Sequence, residues 1–160
     1  MRLVVSDTTP VNYLLLIDQI ELLPRLFNRV HIPDAVRDEL TDTGASVVVR
    51  NWIADPPTWL VIDPTPQHMT SAPNLDAGEL AVIALASQLS ARLLLIDERA
   101  ATIVARAQGH TVMGTLGILG LAAERQMVDL RTALGRLTET NFRIAPRLVD
   151  ELLARHANRT

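Results

Sequence analysis

Short apolar runs alternate along this chain with longer stretches of helical periodicity. Residues 2–6 contain Leu3-Val4-Val5, and residues 93–96 are Leu93-Leu94-Leu95-Ile96. Neighbouring side chains of a strand face opposite sides of a sheet, so a run apolar at every position is a strand covered on both faces. Arg29–Ile32, Trp59–Ile62 and Thr111–Met113 read as further short strands, with Trp59–Ile62 a peripheral one. Between them the pattern is helical. Thr9-Pro10 offers a cap residue and then proline at a first helical position. Val11 to Phe27 follows, broken near Asp18 and tightened at Pro24. Pro33 opens a helix through Leu40, and Ser46–Ile53 is another, ended by Asp55-Pro56-Pro57. Ala77–Ser90 is a strong helix. Glu98–Gln108 is stopped by Gly109, the residue type favoured just past a helix end. Thr115–Gln126 and Leu130–Glu139 are helical, and Pro146–His156 is amphipathic, with Leu148, Val149, Leu152 and Leu153 on one face. Residues 63–74, with three prolines, read as a surface loop.

This alternation predicts an α/β fold of three layers, a mostly parallel central sheet with helices on both faces. At 160 residues the chain is expected to be a single domain, 1–160. In such sheets ligands bind beyond the carboxyl ends of the strands.

Composition narrows the function. Apolar residues make up 48% and charged residues 21%, a globular balance. The net charge of −3 is not that of a protein that coats nucleic acid, so any such contact is local. All fifteen basic residues are arginine; arginine suits bidentate phosphate contacts, although a GC-rich genome would favour its codons anyway. Without lysine, any mechanism that needs one is excluded. With no cysteine, disulfides and thiolate metal sites are excluded too. No apolar run is long enough to span a bilayer, and the first acid comes too early for a signal peptide, so the cytoplasm is the expected location.

Four acids stand out against the apolar pattern. Asp7 ends the first strand run and Asp97 the fourth, both at the carboxyl edge. Thr9 is the better placed cap for a helix beginning at Pro10, which leaves Asp7 over for chemistry. Asp97 has a competing structural reading, a cap for the helix starting at Glu98 or Arg99. Asp76 and Glu79 form D-x-x-E, the spacing of a capping box. That reading suits Asp76, whereas Glu79 aligns with Ile83 and Ala86 toward the packed side. Glu39 shares a helix face with Ala35 and Val36, while its neighbour Asp38 reads as solvated. Unpaired buried carboxylates are costly, and a hard divalent cation is their natural partner. A cluster of this kind points to hydrolysis of phosphodiesters.

The order strand-end Asp, helix Glu, helix Glu, strand-end Asp resembles the PIN domain, the nuclease fold of VapC-type toxins. The similarity begins at Val5-Ser6-Asp7-Thr8-Thr9-Pro10-Val11 and continues at Val36-Arg37-Asp38-Glu39-Leu40. It resumes in residues 75–86, at Leu75-Asp76-Ala77-Gly78-Glu79-Leu80, and at Leu94-Leu95-Ile96-Asp97-Glu98-Arg99-Ala100. Residues 109–117, with Val112-Met113-Gly114-Thr115-Leu116-Gly117, resemble a stand-alone PIN-like subgroup. The resemblance implies Asp7, Glu39, Glu79 and Asp97 as catalytic acids and metal ligands, with Asp76 accessory to the metal. It also implies Thr9 and Thr115 as nearby polar residues. Many PIN domains carry aspartate where this chain has Glu79, and the subgroup often has a lysine where Ala122-Ala123-Glu124-Arg125 has none.

The mechanism so implied is RNA cleavage with Mg²⁺ or Mn²⁺ held by oxygen ligands. Arg99 and Arg106 are candidate phosphate contacts, against the simpler reading of a solvated helix face. A homodimer is expected, and an antitoxin protein is the partner a toxin would have. A Mg²⁺-binding phosphoacceptor domain is one alternative, but receiver domains use a lysine that this chain lacks. A haloacid-dehalogenase-like phosphatase is disfavoured by Asp7-Thr8-Thr9, which lacks the second aspartate. A non-catalytic PIN-like module, with the acids serving only as caps, would need no metal. The four histidines lack ligand spacing, and Trp52 and Trp59 read as packing residues rather than a base-stacking platform.

Overall fold

The computed structural model describes residues 3–69 and 72–157. Arg2, in the expected first strand, and Thr70 and Ser71, in the expected loop, lie outside the described residues. The elements run β1 (Val4–Ser6), α1 (Thr8–Leu16), α2 (Leu22–Phe27), β2 (Val30–Pro33), α3 (Asp34–Thr41), α4 (Val47–Ala54), β3 (Leu60–Asp63) and α5 (Ala77–Leu89). They continue with β4 (Leu93–Leu95), α6 (Arg99–Ala107), β5 (Thr111–Met113), α7 (Thr115–Glu124), α8 (Leu130–Thr138) and α9 (Pro146–Ala157). The break anticipated near Asp18 is real: Asp18 takes a positive φ of 59° between α1 and α2. Gly109, at φ +91°, turns the chain out of α6 as expected of a residue without a Cβ.

The five strands form one sheet in the order β3-β2-β1-β4-β5, and every pairing is parallel. The sheet is therefore wholly rather than mostly parallel. Every residue of β1 and of β4 is buried, which requires cover on both faces. The edge strands β3 and β5 are only partly buried, in keeping with the peripheral place read for residues 59–62. Helix α5 packs over β1, β2 and β4, and its Ala81, Val82, Leu85 and Ala86 are fully excluded from solvent. At the C-terminal end, Leu130, Ala133, Leu134 and Leu137 of α8 join the core, while Val149, Leu152 and Leu153 of α9 pack against it from outside.

The topology creates the crevice. The chain leaves β1 toward β2 and β3, then returns to the other side of β1 to build β4 and β5. The reversal falls between β1 and β4, the adjacent strands that end at Ser6, just before Asp7, and at Leu95, two residues before Asp97. Parallel sheets place their binding crevices at such a reversal.

Candidate active site

Asp7 is held by the strand ladder and by the helix it starts. Its N–H donates to Leu95 O at 2.9 Å, extending the β1–β4 pairing by one residue. Its Oδ1 accepts the Thr8 N–H at 2.8 Å, making Asp7 the N-cap of α1. The expectation that Thr9 caps this helix is therefore corrected. The helix begins at Thr8, and Thr9 and Pro10 lie inside its first turn. Proline is tolerated there because first-turn N–H groups have no intrahelical acceptor. Asp7 is 6% exposed, so its carboxyl is both a cap and a buried acid.

Asp97 also caps a helix, but not the one its position in the sequence suggested. Glu98 occupies the N-cap of α6 and makes no side-chain cap bond. Asp97 instead reaches α7, eighteen residues on, where Oδ1 accepts the Thr115 N–H at 2.8 Å and Oδ2 accepts the Thr115 hydroxyl at 2.6 Å. Thr115 is fully buried. Gly114 lets the carboxylate approach, since a Cβ there would stand 2.7 Å from Asp97 Oδ1.

The two glutamates come from α3 and α5, which pack on each other. Glu39 Oε2 accepts a short 2.5 Å hydrogen bond from the Thr8 hydroxyl, tying α3 to the start of α1. Its Oε1 lies against Gly78, where a Cβ would overlap it. Asp76 is the N-cap of α5, its Oδ1 accepting the Glu79 N–H at 2.8 Å, as the D-x-x-E spacing indicated. Glu79 is 9% exposed, and its Oε2 is buried without a hydrogen-bond partner.

These carboxyls sense one another. Burial, chiefly, pushes the Asp7 carboxyl up from 3.8 to about 7. The Thr8 N–H opposes this, and the charges of Glu39, Asp76 and Asp97 add to it. Glu79 is pushed up to about 7 by burial first, then by a hydrogen bond with Asp76 and the charges of Asp76 and Asp7. It lies under a thin cover of neighbours, close to the surface, so solvent moderates that penalty. Burial also raises Asp97, against the two Thr115 hydrogen bonds. The Tyr13 hydroxyl is raised by burial and by the charge of Asp97, which places α1's tyrosine beside the cluster. It donates to Asn141 Oδ1 at 2.7 Å, and its ring meets Phe142 edge-on at 4.9 Å.

The remaining candidates divide. Arg99 is exposed at the first residue of α6, two positions past Asp97. Arg106 is in the last turn of the same helix, about 10 Å further along its axis at ~1.5 Å per residue, toward the opposite edge of the sheet. Asp38 pairs with Arg37 on the surface at 3.0 Å, as a solvated acid should. His31 bonds Asp63 at 2.7 Å, and His110 Nδ1 meets Ala91 O at 2.9 Å. Trp52 packs on Trp59 at 5.8 Å. Sequence reasoning missed Thr8, Tyr13, Gly78 and Gly114. Only Gly78 left a signal, a glycine inside the first turn of a helix, which is unfavourable unless something needs the space.

Among the described residues, no three histidine or acidic side chains stand close enough to grip one ion. Repulsion between unneutralised carboxylates favours such separation. The donor chemistry nevertheless fits a hard divalent cation. The surrounding groups are carboxylate oxygens, Glu79 Oε2 is buried and unpartnered, and the charges of Glu39, Asp76 and Asp97 act on Asp7. Glu79 is long enough to adjust by rotamer, while Asp7 and Asp97 are fixed by backbone bonds and Glu39 is held by the Thr8 hydroxyl.

No helix among the described residues is long and apolar enough to cross a membrane. No curated protein and no solved structure matches the chain significantly. A family model described as a PIN domain matches residues 3–158. That span takes in all of the acids gathered at the β1–β4 crevice, and the chain belongs to the PIN-domain family.

Proposed function

We propose that the protein is a metal-dependent endoribonuclease, hydrolysing RNA phosphodiester bonds with Mg²⁺ or Mn²⁺ held by Asp7, Glu39, Glu79 and Asp97. Asp76 lies at the margin of this set. The observation that supports it best is the meeting of Asp7 and Asp97 at the sheet's reversal, with the charges of Glu39 and Asp76 reaching the buried Asp7 carboxyl.

A bound divalent cation would lower the pKa of a coordinated water and offset charge on the scissile phosphate. The chain's own residues do the rest. The Thr8 N–H and the Leu95 carbonyl fix Asp7, and Thr115 fixes Asp97, so two ligands are preorganised. Glu79 Oε2 is buried without a partner, which suits a group that accepts a proton from the attacking water. Arg99 is exposed at the start of α6, two residues past Asp97, and its guanidinium is the candidate partner for an RNA phosphate. The water oxygen bonds to phosphorus as the P–O3′ bond breaks, and the leaving O3′ takes a proton from solvent, giving a 3′-hydroxyl and a 5′-phosphate.

We read the protein further as the toxin of a toxin–antitoxin pair, acting as a homodimer in the cytoplasm. Val47 and Val48 on α4, 60% and 57% exposed, support a self-association face. Growth arrest on induction, relieved by the adjacent gene, tests the toxin role. The nuclease reading is tested by incubating single-stranded RNA with the purified protein, stripping metal with chelator, and restoring Mg²⁺ or Mn²⁺. Cleavage should stop and resume. Cleavage that persists in excess chelator would sink it.

A further inference from the structure

We propose that Gly78 and Thr8 are positioning residues that together set where the Glu39 carboxylate stands in the metal site. The inference rests on the metal-site reading above and assigns parts to two residues outside the acidic set.

Gly78 lies in the first turn of α5, between the cap Asp76 and Glu79. Its backbone does not call for glycine: among the described glycines only Gly109 has a positive φ. A helical glycine is normally a loss in stability against alanine. What the position uses is empty space. A Cβ at residue 78 would overlap Glu39 Oε1 and stand 3.0 Å from its Cδ. The other oxygen, Oε2, is held by the Thr8 hydroxyl at 2.5 Å. Glu39 comes from an exposed face of α3, where a glutamate would otherwise sample many rotamers. Here its carboxylate is clamped, one oxygen on a hydroxyl and the other on a gap left by a missing methyl. The turn that presents Asp76 and Glu79 thus also admits the carboxylate from α3. Gly114 gives Asp97 the same kind of space, at 2.7 Å, on the other side of the crevice.

The overlapping atoms belong to the flexible end of Glu39, so Gly78→Ala should fold and displace the carboxylate rather than the helix. Metal affinity is read by calorimetric titration of Mn²⁺ into parent and variants, with the metal-free melting temperature measured alongside. Gly78→Ala should melt at the parent's temperature or above without metal, and bind Mn²⁺ about ten-fold more weakly or worse. Thr8→Val should weaken binding several-fold, and Thr8→Ser should keep the parent's affinity. Glu39→Gln should bind weakly, and Gly78→Ala added to it should cause no further loss, because both act through one carboxylate. Parent-like affinity in Gly78→Ala, or a full further loss in the double variant, would overturn the proposal while leaving the metal site standing. A parent that binds no Mn²⁺ would overturn the metal-site reading and this proposal with it. Should Gly78→Ala fail to fold, the overlap is not relieved by Glu39 and the proposal fails for Gly78. Thr8→Val then decides the hydroxyl's part.

Discussion

Replacing Asp7 with asparagine separates the two jobs this residue holds. Asparagine keeps an oxygen for the Thr8 N–H and is as good an N-cap as aspartate. It removes the charge. In the folded protein the Asp7 carboxyl is moved from 3.8 to about 7. At about 1.4 kcal/mol per pH unit, ionising it there costs up to ~4 kcal/mol, a ceiling set by burial and the surrounding charges. Rearrangement of the glutamates and entry of water reduce this, and a gain on the order of 1 kcal/mol is expected for Asp7→Asn at pH 8 without metal. For a domain of this size that is a rise of roughly 2–4 °C in melting temperature. The sign follows from proton binding. Between the unfolded value near 4 and the folded value near 7, the folded state holds the proton more tightly. The parent therefore loses stability as pH rises through that window. The advantage of the variant should be near zero at pH 4 and level off above pH 7. Mg²⁺ should reverse the order, since a ligand stabilises only the state that binds it. The assay is a set of melting curves at several pH values, with and without Mg²⁺. A variant destabilised at pH 8 without metal, yet retaining the parent's response to Mg²⁺, would assign Asp7 to structure alone.

Metal affinity should rise with pH through about 7, because Asp7 and Glu79 must lose their protons to bind a cation; Mn²⁺ titrations at pH 6, 7 and 8 check this, and a flat profile refutes it. Asp97→Ala should destabilise the metal-free protein by roughly 0.5–2 kcal/mol through loss of the α7 cap, and Asp97→Asn by less, as read from denaturant melts. Arg99→Ala should weaken RNA binding and reduce its salt dependence by about one phosphate contact, whereas Arg106→Ala should leave both unchanged; fluorescence anisotropy at two salt concentrations distinguishes them. Light scattering at micromolar concentration should give a dimer, and Val47→Arg should shift it toward monomer.

Much of this fold could be read from the chain because its signals were local. The buried run Leu93-Leu94-Leu95 became β4, Ala77 opened α5 behind its Asp76 cap, and Gly109 ended α6. The misreadings are long-range. Asp7 and Thr9 are both good caps two residues apart, and the ladder bond from Asp7 N to Leu95 O, a tertiary contact, accompanies the choice of Asp7. Asp97 caps a helix eighteen residues away across β5, a pairing no local window contains. Gly78 makes sense only once α3 is placed against α5, because its missing Cβ is matched to a side chain from residue 39.

The central claim is that these carboxylates serve metal-dependent hydrolysis by water. The most direct test is mass spectrometry of a defined RNA oligonucleotide cut in ¹⁸O-water with Mg²⁺ or Mn²⁺. The account predicts cleavage that needs the metal and is lost in Asp7→Asn, with one ¹⁸O on the new 5′-phosphate and a 3′-hydroxyl on the other fragment. Products ending in a 2′,3′-cyclic phosphate, formed equally well in chelator or by Asp7→Asn, would contradict it.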